Sequence, residues 1–208
     1  YWILGRCQEA LDPLGEVAST PEGAYLKGCC LLELGRCEEA VKAFADAAAK
    51  GEDAFDTAMC IAEAQRRGGN LDAALEQVRA CQAGNADRAE LHYQKGRCLE
   101  ERGEYEEAME EMERACELDA EHARAAFRLA YLCELRGLDD LAMEYYEKCA
   151  EMKPTYANAL LNLGVLCEDA GDYYRAVECY RRVLAADPMN ARARLCVRDA
   201  EGSLAMYY

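Results

Sequence analysis

Ala157–Asn190 reads ANALLNLGVLCEDAGDYYRAVECYRRVLAADPMN, and this stretch decides the fold. Its first part carries Leu160, Leu163, Val165 and Leu166, and its second carries Ala176, Val177, Tyr180, Val183 and Leu184. Apolar residues three and four apart predict an amphipathic helix in each part. Ala170-Gly171-Asp172 between them is a turn signal. The pattern then recurs upstream with a period of 34 residues. Glycine or alanine returns at Gly28, Ala62, Gly96, Ala130 and Gly164. Glycine returns at Gly35, Gly69, Gly103, Gly137 and Gly171, and alanine at Ala40, Ala74, Ala108, Ala142 and Ala176. A fixed period in this range marks a solenoid of one repeated supersecondary unit, each copy contacting its neighbours.

Five copies follow: 21–54, 55–88, 89–122, 123–156 and 157–190. The small residues at the eighth and twentieth positions let two helices approach closely, because bulk there would overpack the contact. Phe44, Val78, Met112, Tyr146 and Tyr180 share the twenty-fourth position and fill the space beside them. Large against small at facing positions is how layers interdigitate. Boundary signals agree with two helices per copy. Asp87-x-x-Glu90 is a capping-box pattern, Thr155 and Asn190 are good N-caps, and Gly68-Gly69-Asn70 is a turn. Pro154 and Pro188 follow second helices, where the chain stops being helical. With no strand-like alternation, the fold class is all-α.

Composition narrows the function. Twenty-four basic against 40 acidic side chains leave a net charge of −16. Such a chain repels phosphate backbones and anionic bilayers, which disfavours direct nucleic-acid contact and membrane adhesion. No apolar run approaches the ~20 residues that span a bilayer, and no secretory-signal pattern opens the chain. The first residue is Tyr1, and the chain opens partway through a repeat, so it reads as an excised fragment. Thirteen cysteines are odd in number, form no C-x-x-C pair and follow the helical repeat. They read as small buried hydrophobes. So many unpaired thiols imply a reducing compartment, hence the cytoplasm.

Catalytic machinery is absent from this reading. His92 and His122 have no spaced partner for metal or triad chemistry, and no Gly-rich phosphate loop occurs. No metal or cofactor is called for. The run Glu100 to Glu107, continued by Glu110, Glu111 and Glu113, lies on helices and reads as a solvated face instead of a calcium loop. Vicinal Cys29-Cys30 reads as packing, since reactivity would need a lowered thiol pKa.

The repeated pattern resembles the tetratricopeptide repeat (TPR) family over residues 21–190. The fifth copy follows the family pattern throughout; the fourth does so at Leu129-Ala130, Gly137, Ala142, Tyr146 and Pro154. The first three depart from it. Lys27 and Lys95 replace a leucine, Gln65 stands where tyrosine or leucine is usual, and Glu52, Ala86 and Ala120 stand at the closing proline. The resemblance implies a right-handed TPR superhelix, an α-solenoid of stacked antiparallel helix hairpins. Residues 1–20 read as a truncated and irregular repeat interrupted by Pro13, because Leu4–Leu11 parallels Leu34–Val41 at a spacing shorter than the repeat. Residues 191–208 read as a C-terminal capping helix. His92 takes a packing position often aromatic in the family.

In the family, first helices line a concave groove through positions two, five, six, nine, twelve and thirteen. Carried over, this implies a partner-binding set of Tyr25, Met59, Arg66, Tyr93, Arg97, Arg124, Phe127, Arg128, Tyr131, Asn158 and Asn162. Arginine and aromatic residues are typical binding anchors. Arg124, Arg128, Asn158 and Asn162 echo part of a family clamp for a terminal carboxylate, although Tyr93 stands where its first lysine is expected. The competing reading pairs these arginines with Glu90, Glu100, Glu101 or Glu134. The implied function is a non-enzymatic protein-interaction scaffold that takes a protein or peptide with acidic or carboxylate groups. Two alternatives stand beside it. One is a self-associating homo-oligomeric array. The other is the TPR arm of a bacterial transcription-linked regulator, because Arg181–Tyr208 looks like the junction to a domain similar to the C-terminal domain of RNA polymerase α.

Overall fold

The computed structural model describes residues 7–11, 19–153 and 156–207. The readings placed on Leu4, Pro13, Pro154 and Thr155 lie outside the described residues. Helix α1 is described over residues 7–11. It is followed by α2 (Pro21–Glu33), α3 (Cys37–Ala49), α4 (Ala54–Arg67), α5 (Leu71–Gln82), α6 (Ala89–Arg102) and α7 (Tyr105–Leu118). Then come α8 (Ala123–Leu135), α9 (Asp139–Met152), α10 (Ala157–Asp169), α11 (Tyr173–Ala186) and α12 (Ala191–Tyr207). Among the described residues every regular element is helical, and the fold is an all-α solenoid of helix hairpins. Two compact bodies, residues 1–111 and 112–208, divide the chain within α7.

The turn inside each hairpin is built the same way. After α6, Gly103 N–H donates to the Glu100 carbonyl and Glu104 N–H to the Leu99 carbonyl, both at 3.0 Å. After α10, Gly171 and Asp172 donate to Glu168 and Cys167, both at 2.8 Å. This paired closure needs a left-handed residue at the helix end. Gly103 has φ 81° and Gly171 φ 79°, a region open to glycine at little cost.

Hairpin packing follows from the repeated small residues. Within the N-terminal body α2 packs on α3, α4 on α3, α5 and α6, and α6 on α5. Within the C-terminal body α8 packs on α9, α9 on α10, α10 on α11 and α11 on α12. Ala40, Ala74, Ala108, Ala142 and Ala176 are each 0% exposed. A Cβ added at Gly28 would overlap the Phe44 ring, and one at Gly164 would overlap the Tyr180 ring. The glycine is therefore the hole into which the large residue of the facing helix fits.

Helix starts use several caps. Thr20 Oγ1 accepts Gly23 N–H (3.0 Å), Asp53 Oδ1 accepts Asp56 N–H (2.9 Å) and Asp172 Oδ1 accepts Arg175 N–H (3.1 Å). Asn190 Oδ1 accepts Ala193 N–H at 3.0 Å, as its sequence position suggests. The Asp87-x-x-Glu90 box does not form, since α6 begins one residue later with Arg88 as its N-cap and without a side-chain cap. Arg88 is drawn away by the Asp56 carboxylate at 3.1 Å and lies 3.7 Å over the Phe55 ring. His122, unremarked as a cap in the sequence, accepts Ala125 N–H on Nδ1 at 3.1 Å and starts α8.

Candidate functional site

The residues predicted for one groove fall into two different environments. In the N-terminal body they join its core and an ion-pair ladder. Met59 is 2% exposed, packed with Phe55, Ala62, Val78 and Leu91, and offers no surface to a ligand. Tyr25 is half-buried on α2. Its ring meets Phe44 edge-on at 5.5 Å, and its hydroxyl lies 3.3 Å from the Cys60 thiol. Burial pushes its phenol pKa upward, and the Cys60 contact adds to the shift.

Arg66 on α4 is 6% exposed and is held by Glu101 of α6, with Glu63 at 3.9 Å. Arg67 reaches Glu33 on α2 at 3.6 Å and Glu63 at 4.0 Å. Arg97 on α6 meets Glu100 at 3.2 Å and Glu101 at 3.5 Å, and donates to the Tyr93 hydroxyl at 3.3 Å. Buried Gln94 donates to Glu90 at 2.8 Å and Glu63 at 3.4 Å. Alternating charges thus run from α2 through α4 to α6. Arg66, read as a ligand anchor, serves here as a tie between α4 and α6, while Arg97 is held within α6 by Glu100, Glu101 and Tyr93, the last 5% exposed.

His92 packs as a tie of the same kind. Its Nδ1 lies 2.7 Å from Glu111 and its Nε2 2.8 Å from the Ala86 carbonyl, while Lys95 reaches the other Glu111 oxygen at 2.5 Å.

The C-terminal body presents a different face. Arg124 on α8 and Asn158 on α10 are exposed. Phe127 stacks on Tyr156 (4.9 Å, 29°) and tilts against Tyr146 (5.6 Å, 57°). The Arg128 guanidinium lies 5.5 Å over the Tyr131 ring, within the range of a cation–π contact. Asn162 Nδ2 donates to the Tyr146 hydroxyl at 3.0 Å, which itself donates to Glu134 at 2.8 Å. Arg124, Phe127, Arg128 and Tyr131 thus share α8, against which Tyr146 of α9 and Tyr156 at the start of α10 pack, while Asn162 of α10 is joined to it through the Tyr146 hydroxyl.

Tyr146, Tyr156 and Glu134 were absent from the predicted set. One signal was available for two of them: Tyr146 and Glu134, and again Tyr180 and Glu168, are twelve residues apart at matching repeat positions. Tyr180 does donate to Glu168.

The thiols show no activation where the sequence raised the question. Burial pushes Cys29 up to about 12 and Cys30 up to about 11. Among the described residues no three His, Cys, Asp or Glu side chains could together hold a metal ion, and no helix is long and apolar enough to cross a membrane.

Comparisons with known proteins agree with this fold. Models described as tetratricopeptide repeat match residues 25–85, 89–122, 123–156 and 157–190. No curated protein sequence matches the chain. Among solved structures, pilF of Pseudomonas aeruginosa is 21% identical with a TM-score of 0.71, over 93% of this chain and 90% of that one. TTC0263, a thermophilic TPR protein of Thermus thermophilus, is 19% identical with a TM-score of 0.69, over 87% and 98%. YrrB, described as a TPR protein with an unusual peptide-binding site, is 17% identical with a TM-score of 0.59, over 93% and 98%. At these identities the structures attest the fold alone. The repeat models together run from residue 25 to residue 190, interrupted at 86–88, and on that ground the chain belongs to the tetratricopeptide repeat family.

Proposed function

We propose that this chain is a non-catalytic protein-interaction module and that the α8–α10 face of its C-terminal body grips a partner peptide through acidic or carboxylate groups. The observation carrying this reading is the composition of the α8 face, where two arginines and the Phe127 and Tyr131 rings share one helix. Arg124 is exposed and Arg128 stacks on Tyr131, one helical turn apart on α8. Guanidiniums so placed suit carboxylates, and the adjoining Phe127 and Tyr131 rings add apolar area to such a contact. Asn158 and Asn162 supply further hydrogen-bonding groups from α10. A face formed in advance spares ordering cost on the scaffold side. The peptide-binding site described for YrrB makes such a role natural on this fold. Thirteen free cysteines favour a reducing setting such as the cytoplasm. We also assign 21–190 to five repeats and 191–208 to a capping helix.

An array of peptides with free C-terminal carboxylates tests the reading. Arg124→Glu with Arg128→Glu is expected to abolish the strongest signals with helicity unchanged. Unchanged binding by the double variant would move the site off this face.

A further inference from the structure

A second surface lies at the far end of the C-terminal body. A groove of about 480 Å³ runs between α11 and α12, with Val177, Leu204 and Tyr174 along it and Arg181, Arg182 and Glu201 at its rim. Tyr174 is 63% exposed. Its place in the repeat explains its shape. In the preceding hairpin, α11 rests on α10 and also reaches α9, where Arg175 pairs with Glu147 at 2.5 Å and Arg182 donates to the Ala150 carbonyl at 3.5 Å. One repeat later, the equivalent seat against α11 and α12 is this groove.

The seat differs from the earlier one in charge. Arg181 is the counterpart of Glu147, so a cation stands where the earlier seat offers a carboxylate. Arg198 is the counterpart of Gly164, the small residue that admits a large neighbour in the fifth repeat; its side chain is 73% exposed. A helix approaching this end therefore meets guanidiniums where it would otherwise close onto glycine. Residues 173–208 hold six arginines and four carboxylates, a net +2, while residues 1–172 hold 18 basic and 36 acidic side chains, a net −18. The Arg181–Glu201 and Arg198–Asp199 pairs now present are both solvent-exposed. Such pairs contribute little and exchange readily for better-placed carboxylates.

We propose that the α11–α12 groove is a docking site for an acidic amphipathic helix of a partner protein. The helix would lay apolar residues three and four apart on Val177 and Leu204, with flanking carboxylates on Arg181, Arg182 and Arg198. A second copy of this chain is a poorer occupant. Its own acidic amphipathic helix, α7, already buries its apolar stripe of Ala108, Met112 and Ala115.

The test uses the full chain and a fluorescent peptide with the sequence of residues 104–118, EYEEAMEEMERACEL, as the acidic amphipathic probe. The peptide binds, weakens as salt is raised, and loses at least tenfold in affinity to Arg181→Glu with Arg182→Glu. A loss that follows Arg124→Glu with Arg128→Glu, while Arg181→Glu with Arg182→Glu leaves binding unchanged, would place the peptide on the α8–α10 face and overturn the proposal. Circular dichroism of each variant controls for folding. Absence of binding, equal binding by the Arg181→Glu, Arg182→Glu protein, or equal binding of a peptide with every glutamate replaced by lysine overturns the proposal. So does a concentration-dependent doubling of mass that those two substitutions abolish, since the occupant would then be a second copy.

Discussion

The two bodies of this protein share one hairpin design and differ in what lies on their first helices. In the N-terminal body α2, α4 and α6 are tied by alternating charges, from Glu33 and Arg67 through Glu63 and Arg66 to Glu101 and Arg97. In the C-terminal body the tie is a hydrogen-bonded chain, Asn162 to Tyr146 to the Glu134 carboxylate, set among Phe127 and Tyr156. The ladder consumes its arginines. The tyrosine chain fastens helices through an amide, a phenol and a carboxylate, beside an Arg128 guanidinium stacked over the Tyr131 ring. A repeat protein can therefore keep its packing and change its surface simply by changing which polar group closes the junction.

The comparison breaks most sharply at the packing common to both bodies. Ala40→Leu and Ala142→Leu enlarge equivalent sites with 0% exposure. Each is expected to cost up to about 3 kcal/mol by overpacking, with similar effects in either body. Hydrogen exchange read helix by helix would show it, and protection unchanged in α2–α3 or α8–α9 would refute the shared design. Next in size is Glu101→Ala, which strips the main partner from buried Arg66. A cost of about 2–3 kcal/mol is expected, below that of a fully buried pair because Glu101 is 35% exposed. Exchange should rise in α4 and α6 while peptide binding to the α8–α10 face stays intact.

Tyr146→Phe keeps the ring and removes the hydroxyl that joins Asn162 to Glu134. A loss of about 1 kcal/mol is expected, visible in α8–α10 alone. The smallest effect sought is graded by pH. Burial pushes Cys98 in one body, and Cys133 and Cys149 in the other, up to about 11. Burial likewise raises Tyr146. A raised folded pKa means that folding favours the protonated form. That stability is complete below the unfolded values, about 8.5 for a thiol and about 10 for a phenol, and is lost as pH rises through the folded ones. Melting midpoints should therefore fall from pH 9 to pH 11, and replacing Cys133 and Cys149 by alanine should flatten the C-terminal share. A flat profile in the unsubstituted protein would contradict the burial of these thiols.

Much of the fold was legible in the sequence, because the residues that repeat are those whose size decides helix approach. Gly164 and Tyr180 could be paired from their positions alone, and the structure shows the ring filling the space a Cβ would need. The candidate site was less legible. Met59 and Arg66 occupy repeat positions read as groove-facing. Yet Met59 is covered by Phe55 and by Leu91 of the next repeat, and Arg66 by Glu101 of the next repeat. Position within a repeat does not say whether a neighbouring repeat brings a carboxylate or a ring to the same place. The missed cap at α6 has a similar origin, since Arg88 answers to Asp56, 32 residues away.

What the sequence determined by itself is the hairpin: its period, its turn glycines and its small-against-large core. These rest on steric demands within one repeat, where the interacting residues are close in the chain and recur in every copy. Only the tertiary structure decided which arginines are spent on internal ties and which stay accessible, and that an end groove opens beside α12. Those outcomes depend on side chains from separate repeats meeting across helix junctions, where a single carboxylate or phenol changes the pairing and leaves the packing period untouched.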